Sequence, residues 1–197
     1  MGMGRENSSE ARLIYVMGAS GSGKDTLMSY ARQRLADTGA ACFAHRYITR
    51  EAGAGGENHV ALSEEEFAAR LARGMFAMHW ESHGLRYAIG IEIDAWLAGG
   101  ISVVVNGSRG YLEQARARYP RLVPVSIEVS TETLRERLLA RGRETPVAIE
   151  QRLARHMALG TEGFAGHRID NDGTMEDAGE ALVRLIREGH REMLPCA

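Results

Sequence analysis

The chain has only two cysteines in 197 residues, Cys42 and Cys196. That excludes a cysteine-built zinc cluster and leaves a disulfide framework unexpected. No apolar run approaches the ~20 residues that cross a bilayer. The 24 basic and 26 acidic side chains leave a formal net charge of −2, so no bulk attraction draws the chain to nucleic acid or to a membrane surface. No H-E-x-x-H pattern or other regular ligand spacing joins the histidines, so a histidine metal cluster is not expected. Residues 1–11 are polar and lack the apolar centre of a signal peptide. Glu6 also stands where a myristoylation signal needs Ser or Thr. These absences predict a cytoplasmic protein with a disordered tail over 1–11 and no nucleic-acid or membrane partner. They leave the oligomeric state open.

What is present describes an ordinary globular chain, 44% hydrophobic and 25% charged. Its length fits a single domain over 12–197. Apolar β-prone runs at 12–17, 41–48, 101–106, 122–129 and 167–170 predict strands. Amphipathic stretches at 24–37, 64–73, 90–99, 109–118, 131–141, 147–160 and 175–189 predict helices. This alternation implies an α/β fold, a mainly parallel sheet with helices on both faces. Two stretches break the rhythm. Residues 50–60 are glycine-rich and polar, which predicts a loop. Residues 75–90 mix aromatics and histidines around Gly84, which suggests a hairpin. Together 49–89 form an expected insertion over the sheet edge. Thr131 is a suitable cap for the helix that follows it, and Pro146 suits the first turn of the next.

The most informative stretch is Gly18-Ala19-Ser20-Gly21-Ser22-Gly23-Lys24-Asp25-Thr26. It has the G-x-x-x-x-G-K form, preceded by a strand-like run and followed by a helical one, which is the context a phosphate-binding loop requires. Glycines let backbone N–H groups turn inward around a phosphate. The helix N-terminus adds partial positive charge. Lys24 can reach the β- and γ-phosphates, and Thr26 can bond the α-phosphate. The motif predicts an ATP site.

Phosphoryl transfer also needs Mg²⁺, cations over the moving phosphate and a positioned acceptor. The usual Mg²⁺ arrangement pairs a hydroxyl after the lysine with an aspartate ending a later strand. Here Asp25 follows Lys24, and the run Val103-Val104-Val105 ends in Asn106. The two departures can compensate, with Asp25 and Asn106 as Mg²⁺ candidates. Asp25 as a simple helix-end carboxylate is the alternative. Arg141 and Arg152 flank a Gly/Pro segment and are candidate catalytic cations on a lid over 141–152. Arg137, Arg143 and Arg155 fit a solvated face better. On the acceptor side Arg46, Tyr47, Thr49 and Arg50 follow a strand, where α/β proteins bind ligands. His59, His79, His83, Tyr87 and Arg109 are further candidates. Trp80 and Phe76 are expected to pack. Glu57, Glu81 and Asp94 could serve as a base for a hydroxyl acceptor.

These residues resemble the guanylate kinase group of P-loop kinases. G-A-S-G-S-G-K-D-T is similar to its G-P-S-G-x-G-K-S-T, and Ile48-Thr49-Arg50 to its T-T-R. The run from Leu134 through Thr145, followed by Gln151-Arg152-Leu153, resembles its lid and next helix. Asn171-Asp172 resembles the pair near adenine, which implies a role for Asn171 in ATP binding. The departures bear on the acceptor. Gly53 stands where a second arginine is expected, Met78 where the base-reading glutamate is, and Ile89 near a hydroxyl residue. A site cannot lose the partners of a base's polar groups and keep its discrimination, so GMP is not the expected acceptor.

A second set of strings is similar to the ribose 1,5-bisphosphate phosphokinases, enzymes of the phosphonate pathway: A-H-R-Y-I-T-R, G-E-N-H-V-A-L-S-E-x-E-F, V-N-G-S-R and Q-A-R-A-R-Y, with K-D in place of K-S. This resemblance implies γ-phosphoryl transfer from ATP to the 1-phosphate of ribose 1,5-bisphosphate, with Mg²⁺ as cofactor and 5-phosphoribosyl 1-diphosphate as product. It implies a substrate site of Arg46, Thr49, Arg50, His59, Tyr87 and Arg109. A phosphate acceptor is already anionic and requires no base. A kinase for GMP or for a gluconate-type hydroxyl stays open as an alternative, as does an inactive binding module.

Overall fold

The computed structural model describes residues 11–54, 57–142, 145–158 and 164–191. The expected tail at 1–11 lies outside this range except for Ala11, and so does Cys196. Among the described residues Cys42 is a free, exposed thiol, and no helix is long and apolar enough to cross a membrane.

The central strand is β1 (Leu13–Gly18), and its apolar run is continuous because both of its faces are covered. Ile14 and Val16 point to one side, Leu13, Tyr15 and Met17 to the other, as the strand alternation requires. On the first side they meet Leu27, Met28 and Ala31 of α1 (Lys24–Arg34) and Leu182, Val183 and Ile186 of α7 (Met175–Arg191). On the second they meet Ile93 of α3 (Glu92–Ala98) and Leu112 and Ala115 of α4 (Leu112–Arg118). The other strands of this sheet are β2 (Cys42–Phe43), β7 (Val103–Asn106), β8 (Val123–Glu128) and β9 (His167–Asp170). Their order is β2-β7-β1-β8-β9, and every pairing is parallel.

The run 41–48, expected as one strand, divides between two sheets. Ala44 makes the last bond to the main sheet, its N–H donating to Val104 O at 3.0 Å. Beyond exposed His45 the chain enters a second sheet as β3 (Arg46–Ile48). The break falls at A-H-R, where the apolar run is interrupted by polar side chains that the buried sheet cannot cover.

The second sheet has the order β4-β3-β6-β5, with β4 (Val60–Ala61), β5 (Phe76–Ser82) and β6 (Leu85–Gly90). Strands β5 and β6 form the expected hairpin. Its two turn residues, His83 and Gly84, both have positive φ (53° and 71°), the backbone that a tight antiparallel turn demands. Helix α2 (Glu64–Ala72) covers this sheet through Phe67. Its cap is Ser63, which accepts from the Glu66 N–H.

Helices α5 (Thr131–Arg141) and α6 (Pro146–Ala158) close the other end. Leu134, Leu138, Ile149 and Leu153 bury together with Ala19. The cap of α5 is Ser130 rather than Thr131, with Ser130 Oγ accepting from Thr133 N at 3.1 Å. The stretch 109–118, expected as one helix, opens with a 3-10 turn at Arg109–Tyr111 before α4.

Candidate active site

Strand β1 delivers the chain to the glycine loop, and α1 leaves it. Gly23 opens α1 with φ 84°, a conformation that favours glycine. The loop is braced from below. Asn171, buried at 3% exposure, donates from Nδ2 to Ser22 O at 2.6 Å. A Cβ at Gly23 would come within 2.5 Å of that same amide nitrogen. Arg137 of α5 donates to Ser22 O at 3.3 Å and to Asn171 O at 2.7 Å. Arg137, expected on a solvated face, is therefore a loop brace. Asn171 supports the loop from beneath and is not part of the cleft wall. Asp172 is engaged elsewhere, accepting from Ser130 N at 2.9 Å.

The loop forms one end of a cleft of about 540 Å³. Gly18, Ala19, Ser20, Gly21, Gly23, Lys24, Asp25 and Thr26 line it. Ser22 does not: it is fully buried, with an Oγ that finds no hydrogen-bond partner. Lys24 lies beside Asp25, Nζ to Oδ1 3.1 Å. Burial lowers the Lys24 ammonium from its ordinary range, against the opposing pull of Asp25. Burial tends to raise the Asp25 carboxyl, but Lys24, Arg46 and Asn106 together hold it below its ordinary range. Asp25 is thus an anion at neutral pH.

Asp25 and Asn106 do meet across 81 positions of sequence, Asn106 Nδ2 donating to Asp25 Oδ1 at 2.7 Å. Asn106 is buried, and its Oδ1 has no hydrogen-bond partner. An orphaned amide oxygen next to an ionised carboxylate is the hard-oxygen chemistry Mg²⁺ takes. The pair fits that ion.

Beyond Asn106 lies Glu57, reached by the same Nδ2 at 3.4 Å. Arg46 grips Glu57 with both arms of its guanidinium, Nε to Oε1 2.6 Å and a second bond to Oε2. Arg50 approaches the same carboxylate at 3.6 Å. Glu57 therefore sits as a counter-ion between two arginines and is ill placed to act as a base. Of the other carboxylates considered, Asp94 is held by Arg118 at 2.8 Å and by Tyr119, outside the cleft wall. Glu81 lines the cleft near the hairpin tip.

The candidate substrate residues divide. Arg46, Arg50, Tyr87 and Arg109 line the cleft. Thr49 and His59 do not. Thr49 Oγ1 accepts from Arg86 N at 2.9 Å, tying the end of β3 to β6. His59 is 9% exposed, and its ring nitrogens lie 3.0 Å from Glu57 O and 3.2 Å from Arg50 O. It staples the two ends of the 50–59 loop, which sets Glu57 and Arg50 in place. Trp80, expected to pack, both packs and lines the cleft. Arg152 reaches the glycine loop from α6, donating to Ser20 Oγ at 2.6 Å. The side chain of Arg141 lies outside the described residues, as do Arg143 and the side chain of Arg155.

One wall depends on a residue sequence reasoning passed over. Fully buried Tyr15 donates its hydroxyl to Ser108 O at 2.9 Å and accepts from Ser108 N at 2.8 Å. Burial raises its phenol above the ordinary range. A Cβ at Gly107 would come within 2.1 Å of the Tyr15 ring, so only glycine fits directly after β7. Tyr15→Phe leaves the ring and removes the clamp on 107–111. The expected loss is about 2 kcal/mol, or about 4–8 °C in Tm for a chain of this size. A melting curve superimposed on that of the parent would show that the clamp carries no stability.

No family model matches the chain. Ribose 1,5-bisphosphate phosphokinase PhnN of Desulfomicrobium baculatum is 57% identical over 178 residues, covering 90% of this chain and 95% of that protein. The protein of the same name from Thiobacillus denitrificans is 56% identical, over 91% of this chain and 95% of its own length. The chain belongs to the ribose 1,5-bisphosphate phosphokinase family. Among solved structures, guanylate kinase from Anaplasma phagocytophilum superposes with a TM-score of 0.68 at 16% identity, covering 95% of this chain and 88% of that one. That likeness concerns the fold, and agrees with the P-loop kinase architecture.

Proposed function

We propose that the chain transfers the γ-phosphoryl group of ATP to the 1-phosphate of ribose 1,5-bisphosphate, giving 5-phosphoribosyl 1-diphosphate and ADP. The observation that carries this reading is a single cleft joining Lys24 and the glycine loop to Arg46 and Arg50. Backbone N–H groups of the loop hold the β-phosphate, and Lys24 holds the β- and γ-oxygens. Arg152, which donates to Ser20 Oγ of the loop, supplies positive charge to the phosphate in flight. Residues 141–152 serve as its lid, with Arg141 as a second cation. Mg²⁺ bound at Asp25 and Asn106 would neutralise charge on the β- and γ-phosphates.

An oxygen of the acceptor 1-phosphate attacks the γ-phosphorus. The new P–O bond forms as the bond to the β-γ bridging oxygen breaks, and ADP leaves with that electron pair. No proton must be removed from a phosphate anion, so Glu57 is free to remain a counter-ion to Arg46 and Arg50. Those two arginines neutralise the acceptor's phosphates. Activity in the cytoplasm, as a protein without membrane or nucleic-acid partners, accords with the net charge of −2.

The test is ADP release in the presence of ATP and Mg²⁺, with ribose 1,5-bisphosphate and GMP compared as acceptors. Turnover with the bisphosphate and none with GMP is expected. Turnover with GMP would replace this reading by a nucleoside monophosphate kinase.

A further inference from the structure

The second sheet presents one row of side chains to the cleft. Strand order β3-β6-β5 sets Trp80 directly opposite Tyr87, while Arg46, opposite Ile89, approaches Tyr87 diagonally on the same face. The Trp80 and Tyr87 rings are stacked, with centroids 5.8 Å apart and planes within 4°. Arg46 lies over the Tyr87 ring at 5.1 Å. From across the cleft Tyr111 meets Trp80 at 5.7 Å, tilted by 33°. Tyr87 therefore has an indole on one side and a guanidinium on the other. Trp80 lies between Tyr87 and Tyr111.

A nucleobase is held by stacking on an aromatic or guanidinium face and by hydrogen bonds to its polar edge. Here the stacking position against Tyr87 is taken by an indole, a bicyclic ring of purine size. The polar edge would find nothing beneath. Met78 and Ile89 share this face of the sheet, and both are buried in the apolar cluster against which Trp80 packs.

We infer that Trp80 is the specificity-determining residue of the acceptor site: its side chain fills the space of a nucleobase and restricts the acceptor to phosphates without one. The inference rests on the proposed function for the identity of the acceptor, but exclusion of a base can be measured without it.

The experiment is equilibrium titration of GMP, and separately of ribose 5-phosphate, into the full chain and its Trp80→Ala and Trp80→Phe variants, with the nucleotide loop saturated by a non-hydrolysable ATP analogue. Vacating the indole opens a site between Tyr87 and Tyr111. GMP affinity is expected to rise at least tenfold in Trp80→Ala, while ribose 5-phosphate affinity moves less. Trp80→Phe is expected to give a smaller gain, because a single ring returns to the stack. Unchanged GMP affinity in a Trp80→Ala protein of normal melting behaviour would overturn the inference. Trp80→Leu gives the same decision if the alanine variant does not fold. An equal gain for both ligands would also overturn it, since general loosening favours neither. If ribose 1,5-bisphosphate fails as an acceptor while Trp80→Ala gains GMP affinity, the proposed function falls and the role of Trp80 stands.

Discussion

Lys24→Met is expected to lower kcat by about 10³-fold, the range for loss of one preorganised electrostatic contact in a phosphoryl or acyl transfer site. That corresponds to about 4 kcal/mol of transition-state stabilisation. Lys24 is the single lysine among the 24 basic residues, so no neighbouring ammonium can take over. Stability should move in the other direction or hardly at all. Burial holds the Lys24 ammonium below its ordinary range, which means the folded chain disfavours its charge until a polyphosphate arrives. Removing that charge relieves the disfavoured state, while Asp25 keeps Asn106 as a donor. Steady-state kinetics and a thermal melt on the same preparation separate the two effects. Near-normal turnover would end the assignment of this loop to ATP, whereas joint loss of turnover and fold would show that Lys24 is structural.

Arg46→Ala is expected to be the most destabilising single change in the cleft. Arg46 and Glu57 are each 11% exposed and joined through two bonds. Removing one partner of a buried pair leaves the other charge uncompensated, a loss of about 3–5 kcal/mol in deep sites. Arg50, at 3.6 Å from the same carboxylate, offsets part of it. About 3 kcal/mol is therefore expected, or about 6–12 °C in Tm. The double variant Arg46→Ala/Glu57→Gln should recover most of that stability, because no charge is left stranded. It should not recover acceptor binding, which in the proposed reaction uses the guanidinium. Arg46→Lys restores the charge without the two-armed grip, so its acceptor KM should stay well above that of the parent. If the double variant recovers both stability and acceptor KM, Arg46 serves only to neutralise Glu57.

The glycine loop and its strand–loop–helix setting are local features. Covalent sequence determines them because glycine freedom, a helix start and a lysine at the right offset need nothing from the rest of the chain. The alternation of runs also marked the α/β class, and the main elements begin or end within a residue or two of where periodicity places them. Run 41–48 was harder. Its polar A-H-R interruption does not by itself end a strand, and the competition between two sheets divides the run there, at Ala44 and His45. Local propensity carries no term for which sheet a residue joins.

The chemistry of the site divides in the same way. Lys24, Asp25, Asn106 and Arg152 could be named from their types and their places after strands or in helices. What each touches could not. Asn106 is 81 positions from Asp25, and Arg152 is 132 from Ser20. Arg137 looked like one more solvated arginine and is a brace under the glycine loop. His59 looked like a ligand contact and ties its own loop. Tyr15 looked like one more apolar strand residue, and its hydroxyl shapes the cleft wall. The residue inventory and the phosphate loop are thus properties of the sequence. Tertiary structure alone decided which cations face the cleft and which are consumed as braces, because burial and long-range hydrogen bonds arise only when distant segments share a core.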